Sequence, residues 1–157
     1  MKQKICMSIL MFSLLILPLA GAGVKPAYAA PEAQVTEDSL ISVWVFEDAD
    51  LNGVYSTGDD GFTDAWVKVR NKTTKVDLFG GTDEGDVEWD ITAAGKFYTQ
   101  VDSSSVPAGY KLRSIRCVHT RTYETYEACQ YHLRTWKTDF KLPYGTRIYI
   151  YYAVVPE

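Results

Sequence analysis

After residue 29 no apolar run approaches the ~20 residues that a membrane-spanning helix needs, so we expect no membrane span and a soluble mature protein. Basic charge is scarce as well, with 16 Lys and Arg against 20 Asp and Glu. A protein of that balance lacks the cationic surface that nucleic acid demands, so nucleic acid is excluded as a partner. Histidine occurs only twice, at 119 and 132, and neither residue sits in a nucleophile motif. Either could be set beside Glu124, Glu127 or Asp139 as a base, but such a pairing has no sequence constraint, and we expect no enzyme. Long Leu/Ala/Glu/Lys stretches of helical period are absent after residue 31, while aromatic residues make up 13% of the chain, 11 of them Tyr. That balance favours strands over helices.

The first 29 residues read as a cleaved signal peptide. Lys2 and Lys4 form a basic start, Ile9 to Ala20 an apolar run, and Ala27-Tyr28-Ala29 the small-residue cleavage site. Losing Lys2, Lys4 and Lys25 with it leaves 13 basic residues against 20 acids and moves the net charge from −4 to −7. Residues 30–39 are polar and aperiodic and read as a flexible leader. Residues 40–157 then form a single domain, long enough to bury roughly two-thirds of its unfolded surface without a staple. The expected location is extracellular.

Only three cysteines occur, and Cys6 leaves with the signal. Cys117 and Cys129 remain, an even pair in an oxidising compartment, and we expect them to form a disulfide across a hairpin that turns near Thr122 to Glu124. The rival is a zinc site built from Cys117-x-His119 and Cys129-x-x-His132.

Period-two alternation marks the strands. Leu40 to Phe46 puts Ile41, Val43 and Val45 on one face and Trp44 and Phe46 on the other, so both faces are covered. Ala65 to Arg70 alternates again and ends in the Asn71-Lys72-Thr73-Thr74 turn, which also spells a glycosylation acceptor. Val87-Trp89-Ile91 and Phe97-Thr99-Val101 follow, then extended segments Tyr110 to His119 and Tyr126 to Leu142. The last run, Arg147 to Val155, is apolar on both sides and reads as a central strand. Seven or eight short strands without a helix predict an all-β, prealbumin-like or Ig-like sandwich.

Asp48-Ala49-Asp50-Leu51-Asn52-Gly53-Val54-Tyr55-Ser56-Thr57-Gly58-Asp59 carries the most specific chemistry. Oxygen side chains fall at loop positions 1, 3 and 5 (Asp48, Asp50, Asn52), and Gly53 at position 6 permits the sharp turn. The Val54 carbonyl stands at position 7, Ser56 at 9 and Asp59 at 12. This spacing fits Ca²⁺, which takes hard oxygen ligands and offsets the repulsion of crowded carboxylates. Strand-like flanks exclude the helix-loop-helix setting of such loops.

Val45-Phe46-Glu47-Asp48-x-Asp50-x-Asn52-Gly53, Gly58-Asp59-Asp60-Gly61 and Trp66-Val67-Lys68-Val69 together resemble the opening of the SdrD B-like repeat domain, of the prealbumin-like or Cna-B-type class. Gly81-Thr82-Asp83-Glu84-Gly85 is similar to that family's Thr-Asp-x-x-Gly turn. Gly95-Lys96-Phe97-Tyr98 through Pro107-Ala108-Gly109-Tyr110 resembles its Gly-x-Tyr strand and Pro-x-Gly-Tyr turn. The resemblance spans about residues 40 to 112. It implies a sandwich whose calcium loop stiffens a secreted or cell-surface adhesion protein, with ligand roles for Asp48, Asp50, Asn52 and Asp59. Unlike tandem surface members there is one copy here, and Leu142-Pro143-Tyr144-Gly145-Thr146 has the wrong order for a sortase signal, so we expect no covalent wall anchoring. The first strand has no Lys and the last no Asn or Asp, so no isopeptide crosslink is expected either. The expected partner is an extracellular protein or a polysaccharide. The rival function is a carbohydrate-binding module whose exposed aromatic platform would draw on Tyr123, Tyr126, Tyr131, Trp136 and Tyr144.

Overall fold

A computed structural model describes residues 38–119 and 129–157. The signal and nearly all of the leader expected from the sequence lie outside them, as do Tyr123, Glu124, Tyr126 and Glu127. Ten strands run in chain order among the described residues: β1 (Ser39–Glu47), β2 (Asp60–Gly61), β3 (Trp66–Asn71), β4 (Asp77–Gly81), β5 (Asp86–Ile91), β6 (Gly95–Val101), β7 (Tyr110–His119), β8 (Gln130–His132), β9 (Lys137–Leu142) and β10 (Arg147–Pro156).

They form two sheets, an all-β sandwich. In the first, β10 lies between β7 and β1, and the other edge of β1 is shared by β5 and β2. β1 and β10 run parallel from Leu40 opposite Arg147 to Glu47 opposite Val154. The second sheet has the order β4-β3-β6-β9-β8, antiparallel throughout. Alternation explains the layers. Ile41, Val43 and Val45 of β1 and Ile148, Ile150 and Tyr152 of β10 point inward, where they meet Val67 and Val69 of β3, Phe97 and Val101 of β6 and Phe140 and Leu142 of β9. Each such buried side chain contributes about 1.5–3 kcal/mol of transfer free energy. Across the middle, the Tyr152 and Thr99 hydroxyls share a buried hydrogen bond of 2.8 Å, which satisfies both. Burial pushes the Tyr152 hydroxyl above its ordinary titration range.

The opposite face of β1 and β10 is buried too. Phe46, Val118, Tyr151 and Ala153 form a second apolar cluster there, flanked by Trp44, Val54 and Tyr149. Among the described residues no helix is long and apolar enough to cross a membrane.

Three differences from the sequence reading have physical causes. Ser39 belongs to β1, since its hydroxyl donates to the Pro143 carbonyl at 2.9 Å and its side chain is buried, so the leader stops one residue earlier. The strand count exceeds seven or eight because β2, β4 and β8 carry no alternating apolar signal. In β4, for example, Gly80 lies under Val87 and Trp89, where an added Cβ would come within 2.8 Å of Val87 Cγ2. Lastly, the extended segment expected from Tyr126 to Leu142 is broken: Leu133–Thr135 form a 3₁₀ turn and Trp136 is left-handed at φ 49°.

Candidate metal site and sulfur bridge

The acidic loop leaves β1 where the ladder ends. The Asp48 N–H still donates to the Val154 carbonyl at 2.9 Å, which fixes the backbone while the side chain turns inward and is fully buried. Gly53, at φ +79°, then folds the chain back so that its N–H reaches Asp48 Oδ2 at 3.1 Å. A Cβ there would also meet Ser114 Oγ at 3.2 Å, so the loop sits down on β7 only because position 53 is glycine.

Asp59 closes the loop by accepting the Ala49 N–H on Oδ1 at 2.9 Å and the Ser56 N–H on Oδ2 at 2.8 Å. The Ser56 hydroxyl lies 3.0 Å from Asp59 Oδ2 and 3.1 Å from Asp50 Oδ2. Asp50 is exposed, and the Asn52 backbone N–H, donating to it at 3.0 Å, holds its carboxyl below the usual range. Asp48, Asp50 and Asp59 each offer an oxygen within 4.8 Å of the others, an arrangement that could hold a metal ion.

The structure thus gathers Asp48, Asp50, Asn52, Ser56 and Asp59 as the spacing predicts. Asn52 enters with a different role. Its Oδ1 accepts the Val54 N–H at 2.7 Å, and its Nδ2 donates to Asp50 Oδ2 at 2.6 Å. The amide thus turns its N–H₂ toward the Asp50 carboxylate and the Ser56 hydroxyl. Val54 packs its side chain against the second apolar cluster.

Two contributors escaped the sequence reading. Arg113 Nη1 donates to Asp48 Oδ2 at 2.9 Å. It reaches there because the β7–β10 register slips: Ser114 opposes Ala153 and Leu112 opposes Val154, leaving Arg113 as the extra residue of a bulge. Bulges re-aim a side chain in this way. Tyr55 stacks on Trp44 at 4.5 Å between ring centroids and meets Phe46 edge-on at 5.5 Å, so the loop is pinned to the outer face of the first sheet. Ring identity alone says nothing of that contact, although Tyr55 lies inside the motif.

Four buried side-chain oxygens among the described residues have no hydrogen-bond partner, and two of them, Asp48 Oδ1 and Ser114 Oγ, lie at this loop. Asp48 Oδ1 is buried and has no hydrogen-bond partner, while Oδ2 of the same carboxylate has two.

Cys117 and Cys129 are joined, with their Cα atoms 6.5 Å apart. They do not face each other across a hairpin, because β7 belongs to the first sheet and β8, which follows Cys129, to the second. The bridge therefore staples the two layers. Pairing the sulfurs with each other also removes the thiolates of the rival zinc site. His132 instead contacts Asp139 at 2.9 Å, and the same carboxylate takes Lys72 at 2.9 Å and Lys137 at 3.1 Å. Asn71 is buried, and its Oδ1 accepts the Thr73 and Thr74 N–H groups, so its amide caps a turn.

No protein-family model matches the chain, and no curated protein matches it.

Proposed function

We propose that this chain is a secreted, non-enzymatic β-sandwich module stabilised by Ca²⁺. It would act through its surface in adhesion, matrix or cell-surface interaction, in line with the resemblance to the SdrD B-like, prealbumin-like class. The observation that carries the reading is the orphaned Asp48 Oδ1. A buried carboxylate oxygen without a partner costs free energy, and a cation is the partner that its two acidic neighbours also need. The charge count agrees. Three carboxylates less the Arg113 guanidinium leave −2, which one divalent ion neutralises.

Asp48, Asp50 and Asp59 would supply carboxylate oxygens, with the Ser56 hydroxyl between them. Asn52 would join once its amide turns Oδ1 inward, and Val54 through its carbonyl. All are hard oxygen donors, which suits Ca²⁺, whereas Mg²⁺ asks for a tighter octahedral shell. The bound ion would supply positive charge alone; Gly53 and Arg113 position the loop. By closing the loop, the ion would also hold Tyr55 over Trp44 and Phe46, so metal binding and outer-face packing become one event.

Thermal unfolding in chelator and then in millimolar calcium tests the assignment. With an extracellular-type dissociation constant of ~10⁻⁴ to 10⁻³ M, a tenfold excess gives about 1.4 kcal/mol of stabilisation, and Asp48→Asn should abolish the response. Identical melting curves in both conditions, with no heat of calcium binding, would refute it.

A further inference from the structure

The outer face of the second sheet carries a groove of 560 Å³, within the range of small-molecule and oligomer-binding clefts. Trp66 and Phe79, on adjacent strands β3 and β4, form one wall, and they are 55% and 61% exposed. Arg134, Thr135 and Trp136 form the other. Lys68 and Gln100 make the floor, and Asp102 stands at the rim.

The second wall is firmly held. The Trp136 carbonyl accepts the Val101 N–H at 3.0 Å, and the Thr135 carbonyl accepts Gln100 Nε2 at 3.2 Å. Trp136 itself is left-handed, a conformation that a bulky residue adopts only where the surroundings over-determine it, and such strain clusters at binding sites. Two large exposed aromatics beside it form an apolar patch of the kind that marks an interaction surface.

Groove chemistry selects the occupant. The backbones of β3 and β6 beneath the groove are already paired on both sides, so a peptide strand could add only along the outer edge of β4, on the far side of β3 from Arg134 and Trp136. Flat aromatic rings flanking amide, carboxylate and guanidinium groups suit a pyranose, whose C–H face stacks while its hydroxyls take the hydrogen bonds. Charge refines the choice. Lys68 is partly neutralised by Asp77 at 3.0 Å, but Arg134 makes no ion pair among the described residues. An unpaired cation in the groove of an otherwise acidic protein favours an anionic ligand.

We propose that this groove binds a glycan chain bearing acidic sugars, with rings stacked on Trp66 and a sugar carboxylate met by Arg134. The site differs from the aromatic platform expected from the sequence. Only Trp136 belongs to both, and Tyr144 lies at the opposite end of β9.

The exported protein is tested on an immobilised panel of uronate- and sialate-bearing glycans beside neutral chains. Acidic chains should be retained over neutral ones. Trp66→Ala should weaken retention at least tenfold, and Arg134→Gln should weaken it about tenfold and erase the preference for acidic chains. Tyr144→Ala should leave retention unchanged. Both groove positions are solvent-exposed, so unaltered melting temperatures will show that each variant folds. Retention should persist in chelator, which separates this test from that of the calcium loop. Failure to retain any glycan, equal retention of neutral and acidic chains, or indifference to Trp66→Ala would overturn the proposal. So would a concentration-dependent dimer in sedimentation that Trp66→Ala abolishes, since the groove would then be occupied by a second copy.

Discussion

Replacing Arg113 by Gln separates two sources of positive charge at Asp48. In the metal-free protein, Arg113 is the one cation on a carboxylate whose side chain is fully buried, although 38% of the Arg113 side chain remains in solvent. A hydrogen bond to a charged group contributes about 1.5–3 kcal/mol, and the partial exposure of Arg113 places this one toward the low end, at about 1.5 kcal/mol. For a domain of this size that loss lowers the melting temperature in chelator by about 5 °C. In calcium the sign changes for the ion. Removing a like charge a few ångströms away in largely solvated surroundings should tighten divalent binding by on the order of 1 kcal/mol, about fivefold. The variant should therefore be less stable without calcium, show a larger calcium-induced rise, and bind calcium more tightly by titration calorimetry. A melting temperature in chelator equal to that of the parent would refute the idea that Arg113 stands in for the ion. So would weaker calcium binding.

Gly53→Ala forces a side chain into a left-handed position against Ser114 Oγ, and it should cost about 1–2 kcal/mol in urea unfolding and blunt the calcium response. Reducing the Cys117–Cys129 bridge, which closes a separation of 12 residues, should cost about 3 kcal/mol, read as a fall of about 10 °C in melting temperature with reductant. Burial of Asp139 opposes its ionisation, but the hydrogen bonds from Lys72 and Lys137 outweigh burial and lower its carboxyl below 3.8. Its contribution to stability is thus complete above that value and is lost as pH falls below it, so Asp139→Asn should flatten the acid limb of a stability–pH curve below about pH 4.

Strands with a regular apolar alternation were legible because that alternation is the packing itself. Ile41-Val43-Val45 and Ile148-Ile150-Tyr152 are the two central strands of the first sheet for the reason that makes them visible. β4 was hidden, since Gly80 and Gly81 lack the side chains from which alternation is read, although the close approach of Val87 and Trp89 is what requires Gly80. The acidic cluster was legible, because Asp48, Asp50 and Asp59 are local in sequence. Its countercharge was not: Arg113 reaches Asp48 from 65 residues away through a register slip that exists only once β7 and β10 have paired. The cysteine pairing followed from parity, but its geometry did not, because nothing local reveals that the chain changes sheets between 117 and 130. The groove shares that origin. Trp66, Phe79 and Trp136 are ordinary strand or turn residues until the pairing of β3 with β4 and β6, and the Val101 N–H bond to the Trp136 carbonyl, bring them to one groove.

The parallel seam between β1 and β10 determines how the domain carries load. Its strands join residues more than a hundred positions apart, since Thr146 N–H reaches Ser39 Oγ across a separation of 107. Tension applied ahead of β1 and beyond β10 pulls the two strands past each other along their length, because parallel strands have their outgoing ends at opposite extremities of the ladder. The hydrogen bonds from Leu40 to Val154 are then strained together instead of opening one by one from an end. Rupture under such a pull is governed by the unfolding barrier of this single seam, so a tethered copy would resist tearing far better than its equilibrium stability suggests.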